Sequence, residues 1–143
     1  MHKIFGEKEN IEYYTRKGAY LIAVNDGKIA VVKTEKGLFL PGGGTEENET
    51  DEETIKRECL EEIGYNCEIE KLICTAEAYQ KHPSIGPFHP VQKYYTGKLT
   101  DCVEIKTQED HHLIWYDYEQ LKGKLFATMQ NWAVDRSIEQ NNK

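Results

Sequence analysis

The sequence predicts a chain that mixes strands and helices, of the α/β or α+β class, on three observations. Two apolar, β-branched runs, 18–24 and 28–33, flank Asn25-Asp26-Gly27, a strong hairpin signal. Thr50 stands three residues ahead of Glu53 in a capping-box pattern that opens a helix at Asp51, and Gly64 sits where a left-handed C-terminal cap closes one. Near the C-terminus Phe126, Met129, Ala133 and Ile138 recur close to helical spacing, with Trp132 and Val134 flanking them, which predicts a helix over 126–138 packed on a sheet.

In chain order, the hairpin of 18–24 and 28–33 leads to a short strand at 38–40, which delivers the chain into Gly42-Gly43-Gly44. Three glycines permit tight turns and close approach of a ligand to the backbone. The helix 51–63 follows. Partial alternation over 66–79 predicts a strand or strand pair, and further strands are expected at 91–99 and 113–116. Between them, 80–90 holds Pro83, Gly86, Pro87 and Pro90 and reads as an irregular loop. The polar tail after Glu139 is expected to fray, and the sequence contains no internal repeat, low-complexity tract or linker.

The helix carries the chemistry. At about 100° per residue, Ile55, Cys59 and Ile63 form one stripe and Glu58, Glu61 and Glu62 a neighbouring one. Like charges at i+3 and i+4 each destabilise an isolated helix by roughly 0.2–0.5 kcal/mol, so such a cluster calls for a compensating cation. Arg57 alone cannot neutralise three carboxylates. Oxygen ligands at this density suit Mg²⁺ or Mn²⁺ and argue against zinc.

Gly43, Glu49, Arg57-Glu58-Cys59, Glu61-Glu62 and Gly64-Tyr65 stand at the spacing G-x5-E-x7-R-E-U-x-E-E-x-G-U, where U is a bulky apolar residue. This stretch, 43–65, resembles the Nudix box of the MutT-like hydrolases, with Cys59 and Tyr65 at the U positions and Leu40-Pro41-Gly42 as a similar lead-in. The resemblance implies an α/β/α sandwich around a mixed sheet and an Mg²⁺- or Mn²⁺-dependent hydrolase of a nucleoside diphosphate linked to another group. It implies Glu58, Glu61, Glu62 and the Gly43 carbonyl as metal ligands, and Arg57 and Glu49 as residues that orient them. For the group that takes the water's proton, Glu58 and Glu61 come first and Glu109 is the loop candidate. The first substrate expected is an ordinary or oxidised (d)NTP. ADP-ribose, a nucleotide sugar or a dinucleoside polyphosphate is the alternative, and a catalytically silent nucleotide-binding domain is the reading of a different class.

Outside the box the signals weaken. Lys33 is a phosphate candidate whose plain alternative is an exposed edge lysine, and Gly44 is a backbone contact in the glycine loop. Phe39, Tyr79, Phe88 and Tyr94 offer π-faces to a base but are more often core in strands. His82, His89, His111 and His112 read as solvated loop residues, beside the acidic Glu109 and Asp110.

Composition bounds the rest. At 143 residues, 1–143 is expected to form one domain able to bury its own core. The net charge of −7 and the lack of a basic cluster argue against a nucleic-acid polymer as partner; a small nucleotide is expected. No apolar run approaches the roughly 20 residues of a membrane span, and Met1-His2-Lys3 opens no signal segment, so a cytoplasmic protein without a membrane partner is expected. Cys59, Cys67, Cys74 and Cys102 show no CxxC pair and read as free buried thiols. A homodimer is compatible with the resemblance.

Overall fold

A computed structural model describes residues 1–103 and 107–141. The elements run β1 (His2–Phe5), β2 (Tyr14–Asn25), β3 (Lys28–Thr34), β4 (Gly37–Phe39), β5 (Gly42–Gly44), α1 (Asp51–Ile63), β6 (Tyr65–Ala78), β7 (Gln80–His82), β8 (Gly86–Cys102), β9 (His112–Tyr116), α2 (Tyr118–Leu121) and α3 (Thr128–Asn141). The strands are ordered β1-β6-β8-β2-β3-β4, with β5 paired to β2, β7 to β8 and β9 to β3. β1 pairs with β6, and β2 with β8, in parallel; the β2–β3, β2–β5, β6–β8 and β3–β9 pairs are antiparallel. The sheet is therefore mixed.

Strand alternation divides the core into two layers. Ala19, Leu21 and Ala23 of β2 point to one side and pack with Ile55, Cys59 and Ile63 of α1. Tyr20 and Ile22 point to the other side, among Met129, Ala133 and Val134 of α3. One helix covers each face, which is the α/β/α sandwich that the box implied. Asn25 and Lys28 close the predicted hairpin, and Asp26 and Gly27 both take positive φ, 51° and 78°, the turn that matches the twist of the two strands.

Several expectations shift. Residues 80–90 are not an irregular loop: β7 folds back on the start of β8, with Gln80 opposite Phe88 and His82 opposite Gly86. Pro83 sits in the turn, while Pro87 stands opposite Lys81 of β7 and Pro90 opposite Arg16 of β2, so both prolines are held in the first five residues of β8 without an N–H of their own to give. The last helix starts at Thr128, and its buried stripe is Met129, Gln130, Ala133, Val134 and Ser137. Phe126 lies ahead of it, 59% exposed, stacked on Phe39. The helix continues through Asn141, so fraying does not begin at Glu139; residues 142–143 lie outside the described residues. β1 and α2 were not anticipated, although Asp117 and Gln120 form a capping box at α2. Of the cysteines, all free, Cys59 and Cys74 are buried but Cys102 is exposed. No helix among the described residues is long and apolar enough to cross a membrane.

Candidate active site at the glycine strand and the acidic helix

Both ends of α1 are fixed as the sequence indicates. The Thr50 hydroxyl accepts the Glu53 N–H, Glu53 accepts the Thr50 N–H at 2.9 Å, and Gly64 caps the end with φ 71°. Burial of Ile55, Cys59 and Ile63 against β2 sets the rotation of the helix. That rotation turns the carboxylate stripe toward β5, the three-residue strand held to β2 by Gly18, Ala19 and Tyr20.

Arg57 is the hub. Its Nε donates to Glu49 Oε2 at 2.7 Å and its Nη2 to Glu49 Oε1 at 3.0 Å. Nη1 donates to Glu58 at 2.7 Å and to Glu61 at 3.3 Å, and Nη2 also donates to the Gly44 carbonyl at 3.0 Å. Glu49 further accepts the Thr54 hydroxyl at 2.8 Å and the Glu46 N–H at 3.0 Å. Donated hydrogen bonds, those of Arg57 above all, hold the Glu49 carboxyl down at about 2.

Glu58 and Glu62 lean the other way. Burial raises both carboxyls; Glu62 is pushed up to about 8, against the Gly42 N–H that it accepts at 3.0 Å, with Glu58 and Glu61 adding repulsion. Glu58 lies against Gly43, where a Cβ would sit 2.8 Å from the carboxyl carbon. His111 brings Nε2 to 3.9 Å from Glu62, and its buried Nδ1 lacks a hydrogen-bond partner among the described residues. His111 is thus half-buried in the site, contrary to the solvated reading, because the turn before β9 folds onto α1 through Gln108 N–H to Glu61 C=O. His89 also departs from that reading: it lies in β8, bonded to Glu77 at 2.9 Å. His82 and His112 are exposed.

Two clefts flank β5. A cavity of 310 Å³ beside Glu62 and Gly42 is lined by Tyr20, Phe39, Asp110 and His111. One of 270 Å³ beside Gly43 and Gly44 is lined by Arg16, Tyr20, Phe88 and Gln92. Lys33 is exposed between β4 and β9, and Lys36 rather than Lys33 lines the larger cleft. Glu109 lies in the exposed turn next to Asp110. Tyr94 is fully buried in the core, Phe39 and Phe88 each border a cleft, and Tyr79 stacks on His89. Sequence reasoning missed Arg16 and Tyr20; their signal was the shared face of β2 that strand parity gives them across Gly18.

The chemistry of these donors fits a hard divalent cation: oxygen atoms only, including a Glu62 carboxyl raised first by burial and then by the neighbouring Glu58 and Glu61. Among the described residues no three acidic, His or Cys groups already converge in ligand geometry, since Glu58 and Glu61 are turned to Arg57 and Glu62 to the Gly42 amide.

A family model described as NUDIX domain matches residues 15–136. Among solved structures, a NUDIX hydrolase from Nitrosomonas europaea aligns with TM-score 0.76 and 16% identity, covering 89% of this chain and 90% of that one. A MutT NUDIX hydrolase from Burkholderia pseudomallei aligns with TM-score 0.72 and 23% identity over 86% and 98%. An ADP-ribose pyrophosphatase from Streptococcus suis 89-1591 aligns with TM-score 0.66 and 16% identity over 90% and 92%. At these identities the likeness is one of fold. No curated protein matches the sequence.

Proposed function

The chain belongs to the NUDIX family, hydrolases of phosphoric anhydride bonds that work with a divalent cation, and from that premise we propose that it is an Mg²⁺- or Mn²⁺-dependent pyrophosphohydrolase acting first on an ordinary or oxidised (d)NTP. The observation that carries this reading is the placing of Glu58 against Gly43 and of Glu62 on the Gly42 N–H, at the backbone of β5, with Glu61 one turn from Glu58 and tied to it through Arg57. Glu58, Glu61, Glu62 and the Gly43 carbonyl hold the cation. When bound, it offsets charge on the bridging phosphates and acidifies the attacking water.

The residues divide the remaining work. Glu58 takes the water's proton: its carboxyl lies against Gly43, and Arg57 keeps it aimed at 2.7 Å. Glu49 fixes Arg57, and Arg57 in turn fixes Glu58 and Glu61. The nucleoside occupies the 310 Å³ cleft, between Tyr20 and Phe39. In this reading residues 1–143 act as one domain in the cytoplasm, and Glu109, in the turn beside Asp110, is the loop candidate for the water's proton after Glu58 and Glu61.

The second cleft, on the Gly43–Gly44 side of β5, favours a second reading: a diphosphate carrying an organic group at both ends, such as ADP-ribose, a nucleotide sugar or a dinucleoside polyphosphate. One experiment separates these. The protein is incubated with each class, with Mg²⁺ or with chelator, and the products are separated by chromatography, with Glu61→Gln as control. Metal-dependent cleavage of triphosphates supports the first reading and cleavage of two-ended diphosphates the second. Nucleotide binding without turnover by any class would replace both with a silent binding domain.

A further inference from the structure

Arg57 is saturated with carboxylates, taking contacts at or under 3.7 Å from Glu46, Glu49, Glu58 and Glu61. Arg16 is the opposite case. It stands on β2 on the same face as Gly18 and Tyr20, and among the described residues it forms no ion pair, although Glu46, Glu47 and Glu49 border the same hollow. A free arginine at the surface ordinarily extends into water; this one lies flat on the backbone of Gly44. A Cβ on that glycine would fall 2.6 Å from Arg16 Cζ.

The triple glycine therefore has a division by position. Gly43 leaves room for the Glu58 carboxylate, and Gly44, the next residue, leaves room for the Arg16 guanidinium. Successive residues of a strand face opposite sides, so β5 presents an anion on one side and an unpaired cation on the other. Tyr20 reports the same neighbourhood: burial and then Glu62 push its hydroxyl up to about 12, with Glu58 adding to this and Arg16 opposing it. The guanidinium also lines the 270 Å³ cleft beside Gly43, Phe88 and Gln92. It is always charged and offers a planar fork of donors that matches phosphate oxygens two at a time.

We infer that Arg16 is a substrate-binding residue that grips the phosphate next to the one attacked, across β5 from Glu58. The inference rests on the hydrolase reading for the identity of the ligand, a phosphate in an anhydride bridge. The backbone supplies a second way to test it. Gly44 does not occupy the left-handed region, so alanine is tolerated there by the chain, and its methyl group evicts the guanidinium without removing it.

The test uses Arg16→Ala, Arg16→Lys and Gly44→Ala, with two readouts: kcat and KM on whichever substrate the wild type cleaves, and calorimetric binding of imidodiphosphate in the presence of Ca²⁺. Loss of a charge-assisted contact of this kind is expected to weaken imidodiphosphate by about tenfold or more in Arg16→Ala and Gly44→Ala, and to raise KM while leaving kcat within about threefold. Arg16→Lys should recover part of the affinity, since a point charge keeps the attraction and loses the fork. Wild-type affinity in Arg16→Ala, or no imidodiphosphate binding by the wild type, overturns the inference. Arg16-dependent binding in a protein that cleaves no substrate would keep Arg16 as a phosphate-binding residue and overturn the hydrolase reading instead.

Discussion

The Arg57 guanidinium holds the Glu49 carboxylate at two points, 2.7 Å and 3.0 Å, across eight residues of sequence. Both groups are mostly shielded, with side chains 22% and 12% exposed, and the same guanidinium reaches Glu58 at 2.7 Å. The pair thus transmits the position of the loop after β5 to a carboxylate on α1.

Arg57→Lys tests that transmission. Lysine keeps the charge but cannot hold Glu49 and Glu58 at once in a fixed fork. Metal affinity and kcat are each expected to fall about 10–100-fold, the usual cost of losing a residue that orients ligands, while circular dichroism stays unchanged. Glu49→Gln should lose the same functions. Wild-type kinetics in both variants would mean that the helix alone aims its carboxylates.

The second prediction concerns stability without metal. The folded Glu62 carboxyl is raised to about 8 from an ordinary value of 4.5, so the folded state binds its proton more tightly than the unfolded state does. Its stabilising contribution is complete below the ordinary value and is lost as pH rises through about 8. At about 1.4 kcal/mol per pKa unit, the metal-free protein should lose on the order of 3 kcal/mol between about pH 5.5 and 8.5 through this group, with Glu58 shifting the same way. Urea unfolding in chelator at the two pH values measures the loss. Mg²⁺ should restore stability at the higher pH, and Glu62→Gln should flatten the dependence; an unchanged slope in that variant would assign it elsewhere.

A third prediction lies behind the site. Gln130 of α3 is 2% exposed, and its Oε1 accepts the N–H of the fully buried Leu40 at 2.9 Å. Leu40 leads directly into the glycine strand. Gln130→Leu leaves that amide without a partner and should cost about 1–3 kcal/mol in denaturant unfolding. A shift under about 0.5 kcal/mol, the range of ordinary surface substitutions, would show that Leu40 finds another acceptor.

What the sequence made legible, and what it did not, follows contact range. The cap of α1, its buried stripe and the adjacency of Glu58, Glu61 and Glu62 are set by i+3 and i+4 spacing, and the Asp26–Gly27 turn by two residues; all could be read locally. The long strands were underestimated because their ends are solvent-exposed: β2 begins at Tyr14 with four exposed residues, and β8 ends with three. Their pairing, such as Thr15 with His89 and Lys17 with Val91, spans 74 residues and leaves no local pattern. His111 and Arg16 were missed for the same reason, since each reaches the site through a fold contact rather than a motif position. Gln130 broke an apolar stripe for a hydrogen-bonding purpose that only its partner on Leu40 explains.

The last prediction separates shape from chemistry within the glycine run. Gly42 has φ 140°, and a Cβ there would lie 2.6 Å from the Tyr20 Cα, so alanine strains the backbone and meets an immovable neighbour. Gly42→Ala should therefore unfold more easily, by about 2 kcal/mol or more. Gly43 lies outside the left-handed region, and the group its methyl would meet is the Glu58 carboxyl, 2.8–3.0 Å away at the end of a side chain. Gly43→Ala should keep nearly wild-type stability and push Glu58 off its position. If Glu58 takes the water's proton, kcat should fall by about 100-fold, the range that a displaced general base commands, with a smaller change in KM. Nearly unchanged turnover in Gly43→Ala would remove Glu58 as the base and move that role along the helix to Glu61.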